Sequence, residues 1–148
     1  MAGELTLRVI TPDRIALDVR VESVRLPGVD GALGILPRHA SMVAAITVGE
    51  LFYVEQGVRK RLFVSAGFAE VRANTVRVVC VAGELPEEID EKRARESEKR
   101  ARERLERKGK PLTEGELLDV VRAEAALRRA LMRLSVHASA PGRERVRS

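Results

Sequence analysis

The chain has no tryptophan, one cysteine and only four aromatic residues in 148. A single thiol, Cys80, has no partner for an intrachain disulfide, so the core is expected to rest on Val, Leu, Ile and Phe and the setting to be reducing. No segment reaches the roughly 20 consecutive apolar residues of a membrane helix. The N-terminal MAGELTLRV lacks the basic start and apolar core of a signal peptide, so neither spanning nor secretion is expected. His39 has no second His or Cys at ligand spacing and reads as a packing or hydrogen-bonding residue, not a metal ligand. No nucleophile, base and orienting acid form a set, which argues against an enzyme.

What is present divides at Leu85-Pro86. Phe52, Tyr53, Phe63 and Phe68 all precede it, whereas residues 87–148 hold 17 Lys+Arg and 13 Asp+Glu. A helical appendage with so little apolar mass must lean on another surface. The formal charge of +5 sits mostly in that tail, since residues 1–86 hold 10 basic and 9 acidic groups. Basic residues there interleave with Glu96, Glu98, Glu103 and Glu106, which supports i,i+4 pairing and dilutes the field that nucleic acid binding needs.

Before the break the period is two. Leu5, Leu7 and Val9 alternate with polar residues up to Thr11-Pro12, a half-buried strand. Ile15, Leu17, Val19 and Val21 share one face, and Val24 and Leu26 fall out of phase with them, which predicts a bulge near Glu22-Ser23. Short runs at Leu51–Val54, Arg61–Val64, Ala69–Arg72 and Val76–Val81 are separated by turns at Gln56-Gly57, Ala66-Gly67 and Ala73-Asn74. With no room for crossover helices, an antiparallel sandwich is expected. Cys80 alternates with Val76 and Val78 as a buried small residue.

After Pro86 the period becomes about 3.6. A helix is expected to about Arg107, with Ile89, Ala94, Ser97, Ala101 and Leu105 inward. Lys108-Gly109-Lys110-Pro111 breaks it, and the Thr113/Glu116 capping-box spacing starts a second helix with Leu117, Val120, Leu127, Leu131 and Leu134 inward. The fold class is therefore α+β: a sandwich over 1–86, an antiparallel two-helix hairpin over 87–136, and a disordered tail over 137–148.

Several strings carry a family likeness: Gly31-Ala-Leu-Gly-Ile-Leu-Pro-Arg-His-Ala40, Gly49-Glu-Leu51, Val64-Ser-Ala-Gly-Phe-Ala-Glu-Val71, Asn74-Thr-Val76, Ile89-Asp-Glu-Lys-Arg-Ala94 and Leu127 to Val136. In this order they resemble the epsilon subunit of bacterial and chloroplast F-type ATP synthases. The resemblance implies a sandwich of about ten strands. It also implies a non-catalytic rotor subunit that binds the gamma subunit and the c-subunit ring and couples proton flow to ATP synthesis. Its helices are implied to be a brake: folded down they permit ATP hydrolysis, and extended they reach the alpha/beta catalytic subunits and inhibit it. Membrane association would come only through the complex, peripherally, at the cytoplasmic face of the bacterial plasma membrane. No cofactor is required.

Some bacterial members of that family bind ATP as a regulatory ligand, and the matching positions here are Glu84, Ile89, Asp90, Arg93, Ala94, Arg100, Arg129 and Arg133. Guanidiniums from two helices converging on phosphates would be reasonable chemistry, and a solvated face laced with ion pairs is the plainer reading. Gly28, Gly31, Ala32, Gly34, Pro37 and His39 form the loop that the resemblance places against the c ring. By turn chemistry alone its glycines are backbone turns, and Ala32 stands where many relatives carry an acid. Two other classes fit the sequence less well. A basic RNA- or ribosome-associated module lacks stacking aromatics in its tail, so no nucleic acid partner is expected. A β-barrel ligand carrier would need a roomier apolar interior.

Overall fold

A computed structural model describes residues 3–106 and 113–141. Ten strands come first: β1 (Leu5–Ile10), β2 (Ile15–Val21), β3 (Ser23–Gly28), β4 (Gly31–Ile35), β5 (Met42–Ile46), β6 (Gly49–Glu55), β7 (Val58–Val64), β8 (Gly67–Arg72), β9 (Thr75–Cys80) and β10 (Gly83–Glu84). A 3₁₀ turn (Pro86–Glu88) leads to helices α1 (Glu91–Glu106) and α2 (Glu114–Ala138). The sheet order is β10-β7-β6-β3-β5-β8-β9-β1-β2, with β4 beside β3. It folds into two layers, because β3 and β5 share only the Gly28/Ile46 pair.

Between the layers lies a core of Leu5, Leu7, Val9, Val24, Leu26, Ile35, Ile46, Leu51, Leu62, Val64, Val71, Val76 and Val78, all at most 2% exposed. Two-residue turns set the register. Gln56 (φ 50°) with Gly57 (φ 74°) and Ala73 (φ 48°) with Asn74 (φ 59°) adopt the left-handed pairs whose twist matches antiparallel strands. Gly67 lies where a Cβ would collide with the Val79 carbonyl, so only glycine lets β8 approach β9 there.

Two sequence expectations change in this layer. The β1–β9 pair is parallel, with Leu7 opposite Val76 and Ile10 opposite Val79. A parallel pair needs a long connection, and here the intervening strands supply it where a helix usually does. The predicted bulge is also displaced. Residue 22 is a bend where the chain passes from β1's partner to β6's, its amide bonded to the Val54 carbonyl at 2.8 Å. The register irregularity falls instead at Val9/Ile10, where Ile10 faces Ile15 and Val9 faces Leu17. Ala16 is the extra, buried residue. Its insertion turns Ile15 away from the face of Leu17, Val19 and Val21, leaving it 58% exposed.

The helices form the expected antiparallel pair, since the last turn of α2 meets the first of α1. The Thr113/Glu116 capping box is made in both directions, at 3.3 and 2.9 Å. In α1 the inward stripe is as predicted, with Ala94 and Ala101 buried. In α2 it is not: Ala123 and Ala130 are buried, while Leu117 is 50% exposed. Alanine against alanine lets the backbones approach closely, and the leucines sit at the flanks of that seam. Helix α2 runs to Ala138 with Val136, His137 and Ala140 buried, so the disordered tail expected from residue 137 does not begin there. The remainder of that expectation, 142–148, and the break at 108–111 lie outside the described residues.

The pair docks on the outer side of β6 and β7. Phe63, Ile89 and Val136 form a second buried cluster, flanked by Val48, Ala82 and Met132. Ala130→Leu should overpack the seam and lower stability by about 1–3 kcal/mol, whereas Leu117→Ala should change it by under about 0.5 kcal/mol. Urea unfolding of both variants checks this, and the reverse ranking would restore the leucine stripe.

Candidate functional site: an apolar sheet face and a basic interhelical cleft

The strand pairings place five apolar side chains in one cross-strand row on the outer face of the layer without helices. Ala45 lies opposite Phe68, Phe68 opposite Val79, Val79 opposite Ile10, and Ile10 opposite Ile15. Phe68 is 47% exposed; Val43, opposite Glu70 in the next row, and Val81, two residues past Val79, are exposed as well. The next row is charged: Glu70, Arg77, Arg8 and Asp18 lie opposite one another in turn, with Arg8 and Asp18 paired at 3.3 Å. An apolar stripe bordered by charge is the form of a protein-binding surface. Sequence reading missed it, although a signal was present. Phe68, Val79 and Ile10 each occupy the charged phase of their strand, beside Glu70, Arg77 and Arg8. Ile15 joins them only because of the Ala16 bulge.

On the other side a cleft of about 430 Å³ opens between the helices and the sandwich, within the range of small-molecule sites. It gathers six of the eight candidate residues, Glu84, Asp90, Arg93, Ala94, Arg129 and Arg133. Two stay apart. Ile89 is buried below in the docking cluster, 4% exposed, and Arg100 lies beyond the rim, donating to Ser97 Oγ at 3.2 Å.

The cleft's arginines are not equivalent. Arg133 Nε donates to Glu84 Oε2 at 2.7 Å, and its guanidinium sits 4.5 Å from the centre of the Phe63 ring. Arg93 and Arg129 form no ion pair among the described residues, so their charge faces the opening. Asp90 Oδ1 accepts from the Arg93 amide at 3.1 Å, which starts α1 and fixes where the Arg93 side chain departs.

Glu88, also at the cleft, is held from behind. Arg14 donates to both its carboxylate oxygens at 2.8 and 2.6 Å, and the Leu85 amide adds a bond at 3.0 Å. The Arg14 hydrogen bonds first, then burial in opposition and the Leu85 amide, leave the Glu88 carboxyl below its ordinary range.

The six residues expected to form one contact loop are strung along β4. Gly28 and Gly31 (φ 126°) flank the Val29-Asp30 tip. Ala32 and Gly34 follow on β4, and Pro37 and His39 lie past its far end, roughly 13 Å away at 3.3 Å per residue. There the Arg38 amide donates to Asn74 Oδ1 at 2.7 Å, tying the segment to the β8–β9 turn. His39 Nδ1 lies 2.8 Å from its neighbour's carbonyl, Ala40 O. Cys80 is buried, donates to the Ala82 carbonyl at 3.2 Å and has its thiol pKa pushed up by that burial, so it is no nucleophile. Among the described residues no His, Cys, Asp and Glu group could hold a metal ion, and no helix is long and apolar enough to cross a membrane.

Comparison with known proteins agrees with both halves of this architecture. The family model described as ATP synthase, Delta/Epsilon chain, beta-sandwich domain matches residues 4–86, and the one described as the long alpha-helix domain matches 87–137. The chain is 46% identical over 134 residues to an ATP synthase epsilon chain of Symbiobacterium thermophilum, covering 89% of this chain and 91% of that one. It is 40% identical to that of Nitratidesulfovibrio vulgaris (strain DP4), covering 95% and 100%. The fold is shared with a chain in the Euglena gracilis mitochondrial ATP synthase structure, at a TM-score of 0.72 and 22% identity over 88% of this chain and 79% of that one. The chain therefore belongs to the delta/epsilon family of ATP synthase subunits.

Proposed function

We propose that this chain is the epsilon subunit on the rotor of a proton-translocating F-type ATP synthase, where it couples proton flow to ATP synthesis without catalysing a reaction itself. The observation that carries the reading is the Ala45–Phe68–Val79–Ile10–Ile15 row, an uncovered apolar stripe on a rigid sheet. Its partner is the gamma subunit. The β3–β4 hairpin and the segment beyond it, from Gly28 to His39, meet the c-subunit ring, which holds the chain peripherally at the cytoplasmic face of the bacterial plasma membrane. Ala32 contributes no charge to that contact. The RNA-binding alternative has no support in the family match, and two of the tail's cations, Arg95 and Arg102, are taken up by Glu91 and Glu98.

The helices act as the brake. Docking buries three side chains, Phe63, Ile89 and Val136, each worth about 1.5–3 kcal/mol of transfer free energy before ordering costs. Two states a few kcal/mol apart are compatible with so small a contact. Released, the arginines of the hairpin face the alpha/beta catalytic subunits. ATP is the regulatory ligand that favours docking: its phosphates meet Arg93 and Arg129 from facing helices, with Ala94 leaving room and Arg100 outside the cleft. Arg133 joins them only by leaving Glu84.

Phe68→Asp should leave the chain folded, because the ring is half exposed, and weaken co-purification with gamma by about tenfold or more; undiminished recovery would dissociate the apolar row from the rotor. Removing residues 87–148 should raise ATP hydrolysis severalfold in a complex that still assembles, as read by steady-state assay. Calorimetric titration of ATP should give a binding heat that weakens about tenfold in Arg93→Ala. Equal heats in both proteins would exclude the cleft as the nucleotide site.

A further inference from the structure

The last turn of α2 ends on a buried histidine that none of the roles above uses. His137 is 8% exposed and sits between two acceptors on different elements. Its Nδ1 lies 3.2 Å from the Pro86 carbonyl of the 3₁₀ turn, and its Nε2 lies 3.4 Å from Glu91 Oε2 at the start of α1. A neutral imidazole carries one N–H and can donate to one of these groups, whereas an imidazolium donates to both. The ring thus ties the end of α2 both to the 3₁₀ turn that the helices must leave and to the first turn of α1.

The charged groups on the surrounding elements decide which form the site prefers. On α1, Glu91 is the direct partner, and its other oxygen accepts from Arg95 Nε and Nη2 at 3.0 and 2.9 Å. On the 3₁₀ turn are Glu87 and Glu88, the latter held by Arg14. On α2 itself Arg133, one turn earlier, is occupied by Glu84. The C-terminal carbonyls of α2 favour a cation at residue 137 and the first turn of α1 opposes one, so the two end effects largely cancel. The desolvation of a buried cation opposes protonation, and two acceptors in contact, one of them a carboxylate, offset it.

We propose that His137 is a proton-operated clasp: protonated, it bridges the Pro86 carbonyl and the Glu91 carboxylate and holds α2 down, and neutral, it releases one of the two and loosens the hairpin. This rests on the reading that the hairpin leaves the sandwich, and it adds what sets the balance. The proton favours the docked state. The clasp's contribution is therefore present at acid pH and is lost as pH rises through the range, about 5 to 8, in which histidines give up their proton.

The test uses the full chain with a donor and an acceptor dye at Arg72→Cys on β8 and Val121→Cys on α2, both exposed; buried Cys80 stays unlabelled. Between pH 5.5 and 8 the released-to-docked ratio should rise about fivefold in this background and stay flat once His137→Gln is added. Equal pH slopes with and without His137→Gln, or no slope in either, would overturn the clasp. A third protein carrying both Arg133→Ala and His137→Ala separates the two levels of the argument. If it shows release at every pH while the slopes fail, the hairpin moves without proton control; if it too stays docked, the mobile hairpin fails along with the clasp.

Discussion

The helical pair is held to the sandwich at one small place, where Ile89 and Val136 close over Phe63. The brake proposed above depends on how little that contact weighs. The sandwich encloses a continuous core of 18 buried residues, and removing a large side chain from such a core costs about 2–5 kcal/mol. The docking cluster holds three. The polar bonds around it, Arg133 to Glu84 and His137 to Pro86 and Glu91, are short-range and directional. They fix the docked geometry while adding modestly to its free energy, because water offers the same groups partners after release.

The alanine seam follows from the same constraint. A hairpin held together by leucines would need a partner for its leucine edge in every position it occupies. Here Ala94, Ala101, Ala123 and Ala130 keep the helices in contact over short distances, and the larger side chains Leu117, Leu118 and Val121, each at least half exposed, stay outside. The unit can then be carried from one surface to another without first coming apart.

Much of this was legible in the sequence because local chemistry dictated it. Gln56-Gly57 and Ala73-Asn74 marked turns whose left-handed backbone the structure shows, and Thr113 with Glu116 marked the start of α2. What was not legible depended on distant pairing. Nothing local to β1 says that it lies parallel to β9, and a single buried Ala16 moves Ile15 to the opposite face. The leucine spacing in α2 described a periodic stripe correctly but not which flank of it faces α1, because Ala94 and Ala101 leave room only for a small neighbour. In the cleft, the family resemblance pointed to the arginines; that Arg133 would be taken by Glu84 and Phe63 needed the docked hairpin itself.

The chain's fixed and movable parts meet at a definable point. Arg14, on the β1–β2 turn, bonds the Gly83 carbonyl at 3.1 Å as well as both oxygens of Glu88, so the backbone through residue 88 belongs to the sandwich. Ile89 is extended, with ψ 123°, and α1 begins at Glu91. Any swing of the helices must then be absorbed at residues 89 and 90, and it must draw the Ile89 side chain out of its contact with Phe63. The anchor and the clasp also differ in what disturbs them. Because the Glu88 carboxyl titrates below its ordinary range, the Arg14 pair's contribution is complete above that range and fades only as acid drives pH down through the lowered value. Near neutrality the anchor is therefore constant.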